Sequence, residues 1–441
     1  MRRYAPLAVT LVAIAVALVA GLPSARGQGS DELPDVMRIK VTDPTRELLR
    51  VAVPPAVGTG ADATAAADVL GHDLELSGFF RLLDRKSFLA NLAAEGIGIV
   101  PGDWMNVGAQ WVCKGSARTG GGKTQFEFRL YQPQKGPTAV LQRSYTAASG
   151  GEARRKVHEW AASVVKFITD QDSFFGTRFA FSSGGRSRSD IYTMDFDGHG
   201  MARITNMQAA SMLPSWSPSG GQIAFTSFAR DNPDVWIVSS GGGRARRVCR
   251  YEGLNSGPAW SPDGGKLAVT LSKDGNAEIY LVRPADCGVI ARLTNDRGID
   301  TSPTWSPNGS QIAFVSDRQG SPQVFVMGAS GGGARRLTFK GSYNQTPKWS
   351  PRGDTPLIAF SGRDEKGRYD IFTVDARSAK ITRITQGFGS NLDPTWAPNG
   401  RRLAFVNRGS KGGIWMVSPD GTNPVQVSRT GGSGLAWGPG K

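Results

Sequence analysis

Two short motifs in this chain carry the residue types of catalytic sites. Gly328-Ala329-Ser330-Gly331-Gly332 satisfies the G-x-S-x-G pattern that holds a serine nucleophile at a sharp turn. That chemistry needs the serine on a strand-to-helix turn in an α/β-hydrolase sheet, and the flanking residues here read as a hairpin. Gly120-Gly121-Gly122-Lys123-Thr124 has the glycines and the lysine of a phosphate loop. Ala117 stands where the leading glycine belongs, however, and the segment joins two strands where a phosphate loop would open a helix. Both motifs predict turns.

Histidine and cysteine chemistry is equally sparse. The chain has three histidines. His72 and His158 fall on predicted helices, and His199 follows Asp197-Gly198 in a turn. None stands at ligand spacing from a cysteine or a second histidine. Asp263 and Asp420 occupy turn positions that favour Asp for backbone reasons. No catalytic residue, metal or cofactor is predicted. Cys113, Cys249 and Cys287 make an odd count, so no full disulfide framework exists. A bridge between Cys249 and Cys287, which fall in neighbouring repeat units, stays open.

The elements that organise these residues come from a repeat. Versions of P-x-W-S-P-x-G recur around Trp216, Trp260, Trp305, Trp349, Trp396 and Trp437, at spacings of 44, 45, 44, 47 and 41. A period of roughly 40 to 50 residues carrying several short strands marks propeller blades. In one unit, Pro307-Asn308-Gly309 turns the chain back and Gln311 to Ser316 forms a β-rich run. A second run spans Gln323 to Met327, and Gly331-Gly332-Gly333 leads into Arg335-Arg336-Leu337-Thr338. One large ring per repeat suits a core buried between stacked blades.

One unit is split. Phe179 to Ser182, Asp190 to Met194 and Arg203 to Thr205 supply three strands with no P-x-W-S-P before them. Leu435 to Gly440 reads as the missing first strand, so the C-terminus is expected to pair with Phe179 to Ser182. That closure removes sheet edges.

Polar residues recur just ahead of each first strand. Ser211, Asn255, Asp300, Asn344 and Asn391 each stand three positions before the repeat proline, with Ser256, Thr301, Gln345 and Asp393 beside them. The first strand of a blade is innermost, so these loops are expected to ring one mouth of a central channel. A ring of this kind can hold a partner's loop by hydrogen bonds; ordinary turn chemistry accounts for it equally well.

Ahead of the ring lies a small α/β domain. Val51-Ala52-Val53, Phe79 to Leu83, Ala109 to Lys114, Gln125 to Tyr131 and Ala139 to Tyr145 read as strands. Helices are predicted over Thr59 to Leu76, Ser87 to Ala94 and Glu152 to Thr169. In the last, Val157, Trp160, Ala161, Val164, Val165 and Ile168 share one face. Upstream, Arg2 and Arg3 precede an apolar stretch from Leu7 to Leu22 and an Ala25-Arg26-Gly27 cleavage site, which reads as a secretory signal peptide. The stretch falls short of the ~20 residues of a membrane span, so no transmembrane anchor is expected after its removal. The expected organisation is 1–27 signal peptide, 28–170 α/β domain, and 171–441 six-bladed propeller.

Losing the three arginines of the signal takes the formal charge from +15 to +12. The charge is dispersed, without a run of five basic residues or an aromatic-interleaved basic helix, so no nucleic-acid partner is predicted. From Val36 to Val41 the side chains alternate, with Val36, Arg38 and Lys40 on one side and Met37, Ile39 and Val41 on the other. This short strand could add to a partner's sheet edge or complete the chain's own first sheet.

The W-S-P-D-G type of repeat resembles the WD40-like repeats of the TolB family, and the order of signal peptide, α/β domain and propeller is similar to that family throughout. Val51-Ala52-Val53-Pro54, Asp73 to Phe80, Leu83-Asp84-Arg85 and Trp104 ahead of Gly108-Ala109 support it. The resemblance implies a periplasmic, non-enzymatic part of the Tol-Pal envelope system, serving outer-membrane integrity and constriction at cell division. It implies the Pal lipoprotein and TolA as partners, with further envelope proteins besides. Carried onto this sequence, the Pal contact falls on Asn255, Gly257, Asp300, Thr301, Asn344, Gln345 and Asn391. The TolA contact falls on Val36, Met37, Arg38, Ile39, Lys40 and Val41. Leu254 stands where the family often has a polar residue. The competing classes are a propeller-containing periplasmic hydrolase, which would need an α/β-hydrolase domain with its triad, and a propeller lyase or glycan-binding protein.

Overall fold

The computed structural model of the chain describes residues 47–439, except 59–60, 149, 365 and 388. The signal segment and residues 36–41 lie outside them. The α/β domain is a five-stranded sheet in the order β2-β1-β3-β4-β5. Its strands are β1 (Leu49–Ala52), β2 (Phe80–Leu82), β3 (Trp111–Gly120), β4 (Lys123–Tyr131) and β5 (Leu141–Ala147). β1 pairs parallel with β2 and β3, whereas β3, β4 and β5 form an antiparallel meander. The helix α1 (Ala61–Leu76) supplies the crossover that a parallel β1–β2 pair requires.

The periodic helices form where apolar spacing predicts them. The last of them spans Gly150–Thr169, and its buried face holds Val157, Trp160, Ala161, Val164, Val165 and Ile168. Trp160 stacks on Phe128 of β4 at 5.7 Å. The helix expected over Ser87 to Ala94 is different: a 3-10 turn covers Arg85–Ser87, and α2 covers only Leu92–Glu95. The cause is local, because Asn91 caps the later helix by accepting from Ala94 N at 3.2 Å. An unexpected helix, α3 (Pro101–Asn106), starts on a proline suited to a first turn. The Gly150–Thr169 helix is then α4.

Six four-stranded antiparallel sheets follow. Five are sequential. In the sixth, the split blade, Ser433–Trp437 pairs with Arg178–Gly184 in the register Ser433↔Ser182, Ala436↔Ala180 and Trp437↔Phe179. The ring therefore closes between the C-terminus and the first propeller strand. The apolar runs of each blade are buried between its neighbours; one cluster joins Phe179, Phe181, Met194, Phe196 and Trp437 of the split blade to Ala404 and Met416 of the blade before it. Leu76, at the end of α1, belongs to the same cluster and seats the α/β domain on the ring.

Gly78 lets that seat form. Its φ is +76°, and a Cβ there would stand 2.8 Å from Arg402 Nη1. Arg402 is buried, with its guanidinium donating to Ser418 Oγ and to the Asn423 carbonyl. A side chain at Gly78 would displace a buried cation.

A polar clamp recurs where the third and fourth strands of a blade meet. Asp190, Glu278, Gln323 and Asp370 accept from the hydroxyls of Thr205, Thr294, Thr338 and Thr385. Each threonine oxygen also takes a backbone N–H, from Ile191, Ile279, Val324 and Ile371. In one of the two other sequential blades, Ser211–Cys249, Cys249 stands at the threonine position and is disulfide-bonded to Cys287, with Cα atoms 5.1 Å apart. The pairing left open by the sequence is formed, and it ties two adjacent blades.

Candidate functional site at the mouth of the ring

The innermost strands begin at Ser211, Asn255, Asp300, Asn344, Ser390 and Ser433. Just after these starts each strand passes through a left-handed residue, which is strained at the four positions that are not glycine. Leu213, Gly257, Ser302, Thr346, Asp393 and Gly434 have φ of 54°, 59°, 55°, 52°, 54° and 64°. Five of the six precede a proline, a position normally held in the extended region. A left-handed non-glycine residue costs roughly 1–3 kcal/mol and persists only where its surroundings over-determine it. The ladder register shifts at this point in all six blades.

The bulge frees backbone N–H groups, and the neighbouring blade receives several of them. Gly257 donates to Thr226 Oγ1 at 3.2 Å, Asp393 to Ser361 Oγ at 3.1 Å, and Gly434 to Asp393 Oδ2 at 2.8 Å. The six bulge residues, with Pro214, Pro258, Pro303 and Pro347, line a narrow cavity on the ring axis. Burial pushes Lys348 below and Asp393 above their ordinary ranges, each opposed by the other's charge. A wider cavity of about 640 Å³ opens beside this channel, lined by Met212, Leu213, Gln345, Thr346, Asp393 and Arg408 among others.

The seven expected mouth residues divide into two groups. The side chains of Asn255, Asp300, Asn344 and Asn391 are buried and engaged within the protein. Asn255 Nδ2 donates to the Tyr251 carbonyl at 2.7 Å. Asn344 Nδ2 reaches Gln323 Oε1 of the preceding blade at 2.8 Å, and Asn391 Nδ2 reaches Asp370 Oδ1 of its preceding blade at 3.0 Å. Asp300 Oδ2 accepts from Arg318 Nη2 at 2.7 Å. Burial nonetheless pushes Asp300 up to about 6, against the Ser316 hydrogen bond and the Arg318 charge. These four pin the loops. Gly257, Thr301 and Gln345 are partly exposed, and Gln345 lines the wider cavity. The remaining expected residues, Val36, Met37, Arg38, Ile39, Lys40 and Val41, lie outside the described residues.

Sequence reasoning missed Leu213, Ser302 and Thr346 as members of the ring. The signal available was their place directly before the repeat proline, where Gly257 was already singled out. The two catalytic-looking motifs are turns: Ser330 lies in the tight turn closed by Gly331 N donating to the Gly328 carbonyl at 3.0 Å, and Gly121-Gly122 joins β3 to β4.

A strained six-fold mouth on a ring of six four-stranded blades, with a small α/β domain seated on the ring, defines a two-domain propeller protein. The chain matches the model of the TolB beta propeller domain over residues 165–440 and that of the TolB amino-terminal domain over 37–138. It belongs to the TolB family. It is 44% identical over 340 residues to the Tol-Pal system protein TolB of Myxococcus xanthus, a match covering 76% of this chain and 77% of that one. The match to the Anaeromyxobacter dehalogenans (strain 2CP-C) protein of the same name is 39% identical over 193 residues and spans 44% of that protein's length. The crystal structure of TolB from Acinetobacter baumannii superposes with a TM-score of 0.77 at 26% identity, covering 89% of this chain and 97% of that one. Among the described residues, no helix is long and apolar enough to cross a membrane.

Proposed function

We propose that this chain is a periplasmic, non-enzymatic scaffold of the Tol-Pal envelope system. It holds the Pal lipoprotein at the ring mouth and TolA through residues 36–41, and so supports outer-membrane integrity and constriction at division. The observation that carries the reading is the six-fold mouth: a rigid concave surface whose strained backbone is paid in stability at one place, next to partly exposed Gly257, Thr301 and Gln345. Preorganisation of this sort lowers the cost of ordering a bound loop. The relatives' shared naming supports the Tol-Pal assignment, and a disulfide between blades suits an oxidising compartment.

Calorimetry with the purified soluble domain of Pal, and separately of TolA, tests it. Full-length mature protein is expected to bind both, and deletion of residues 28–40 to abolish TolA binding while sparing Pal binding and the fold. Failure to bind Pal sinks the mouth assignment. Undiminished TolA binding by the truncated protein sinks the tail assignment.

A further inference from the structure

A buried polar cluster joins the α/β domain to the split blade. Asp73 on α1 is completely buried, and its Oδ2 lies 2.6 Å from His158 Nδ1 on α4. On the far side of the imidazole, Nε2 stands 3.6 Å from Asp197 Oδ2, in the propeller turn after Ser189–Asp195. Arg154, one helical turn before His158, also pairs with Asp197. Phe196 packs edge-on against the imidazole at 5.1 Å. One histidine therefore bridges two carboxylates, one from each domain.

The charges leave room for one proton. Two carboxylates against Arg154 leave a net negative charge on the cluster when the imidazole is neutral, and an uncompensated charge is costly where water is excluded. Asp73 Oδ1 has no hydrogen-bond partner despite complete burial, so the carboxylate is poorly supported in its charged form. The other ionisable groups facing it are His72 on its own helix and Asp195 and His199 on the propeller hairpin, with Arg178 holding Asp195.

We infer that Asp73, His158 and Asp197 form a proton-operated latch between the α/β domain and the ring, tight when the Asp73–His158 pair holds an extra proton and looser when it is lost. Whether that proton rides on Asp73 Oδ2 or on His158 Nδ1, the 2.6 Å contact shares it. The latch does not depend on which partner the ring mouth holds.

The titration of the carboxylates sets the direction. Burial raises Asp73 from 3.8 to about 6, with His158 acting the other way. A group raised in the folded, docked chain favours that state most below its free value of 3.8, and the contribution disappears as pH rises through about 6. For Asp197, burial acts upward but Arg154 and His158 outweigh it, so it sits below its ordinary value of 3.8. Its contribution is present above that ordinary value and fails only in stronger acid. Docking is therefore tightest near pH 4 and loosens progressively as pH rises through about 6, by on the order of a hundredfold at most for a shift of this size.

Hydrogen exchange on the mature full-length chain, expressed as protection factors from pH 4.5 to 7.5, tests the latch. In wild type, protection over residues 61–78 and 195–199 should fall by up to about tenfold between pH 5 and 7.5, while strand Gln311–Ser316 in a distant blade stays level. Asp73→Asn should remove the slope and keep near-acid protection throughout. Should that variant fail to fold, His158→Gln, which removes the charge and hydrogen bond that hold Asp73 down, should move the slope to higher pH. A purely structural role would lower protection at every pH and leave the slope. A flat wild-type profile, or a slope that both substitutions leave unaltered, overturns the latch. So does protection at pH 7 that rises on adding Zn²⁺ alone in wild type but not in Asp73→Asn, since the cluster would then be a metal site.

Discussion

The indole Nε1 of Trp437 donates to Thr177 Oγ1 at 2.7 Å, joining residues 260 apart in sequence. Thr177 in turn donates to the Phe174 carbonyl at 2.6 Å, and the Trp437 ring meets Phe179 at 4.6 Å. The last strand is thus held by ladder, hydrogen bond and ring packing at once. Deleting 433–441 uncovers the edge of Arg178–Gly184 and exposes this cluster, so the melting temperature should fall by many degrees. Trp437→Phe keeps most of the packing and loses one bond worth about 1 kcal/mol, a drop of roughly 2–4 °C in a domain of this size. An unchanged melting curve for the truncation would contradict the closure.

At the mouth, the two groups of residues should respond differently. Thr301→Ala with Gln345→Ala removes partly exposed polar atoms and should weaken Pal binding, by more than ~2 kcal/mol if they act as hot spots, with little change in melting temperature. Asp300→Ala takes one carboxylate from the Arg318 guanidinium, which keeps Ser316 and Asp296, and Asn344→Ala takes one of the two donors from buried Gln323 Oε1, which keeps Thr338. Those two should cost stability, about 1–3 kcal/mol each, whatever they do to binding. Denaturant titration beside calorimetry separates the outcomes. Loss of stability from the Thr301 and Gln345 pair, or none from Asp300 and Asn344, would invert the assignment.

The Cys249–Cys287 bridge closes a loop 38 residues long. Constraining the unfolded chain over such a loop is worth about 4 kcal/mol in the chain-entropy account. Cys249→Ala with Cys287→Ala should therefore lower the unfolding free energy by ~2–4 kcal/mol, measured in urea, and leave partner binding intact at 25 °C. Equal stability of the oxidised and substituted proteins would show that the blades hold without it.

The ring was legible in the sequence because its determinants are local and repeated: a turn motif, apolar runs, and one large ring per unit. Even the split blade could be read, since Leu435-Ala436-Trp437 keeps the repeat's shape without its first proline. The site was only half legible. Asn255, Asp300, Asn344 and Asn391 were visible as a regular polar set, but whether such a set faces a partner or a neighbouring blade depends on side-chain direction after a bulge. Sequence spacing carries no such information. The Asp73–His158–Asp197 cluster was invisible for a related reason, because its members lie 85 and 39 residues apart and meet only when the α/β domain docks. The helix expected over Ser87 to Ala94 failed on a local detail, the Asn91 cap.

Within the α/β domain, Lys114 and Glu95 form a fully buried ion pair at 2.6 Å, each side chain 2% exposed. Glu95 Oε1 also accepts from Val100 N at 2.6 Å and from Trp104 Nε1 at 3.2 Å, and the Lys114 ammonium lies over the Trp104 ring at 5.4 Å. Lys114→Met leaves a buried carboxylate with no cation and should cost ~3–5 kcal/mol, as removing one partner of a buried pair does. Glu95→Leu leaves a buried ammonium and strands two N–H groups, so its cost should be at least as large. The double substitution removes both charges but still strands Val100 N and Trp104 Nε1. It should therefore cost less than the two single changes together, yet remain less stable than wild type. Urea denaturation of all four proteins measures the coupling, and strictly additive losses would mean that the pair contributes nothing beyond its separate packing.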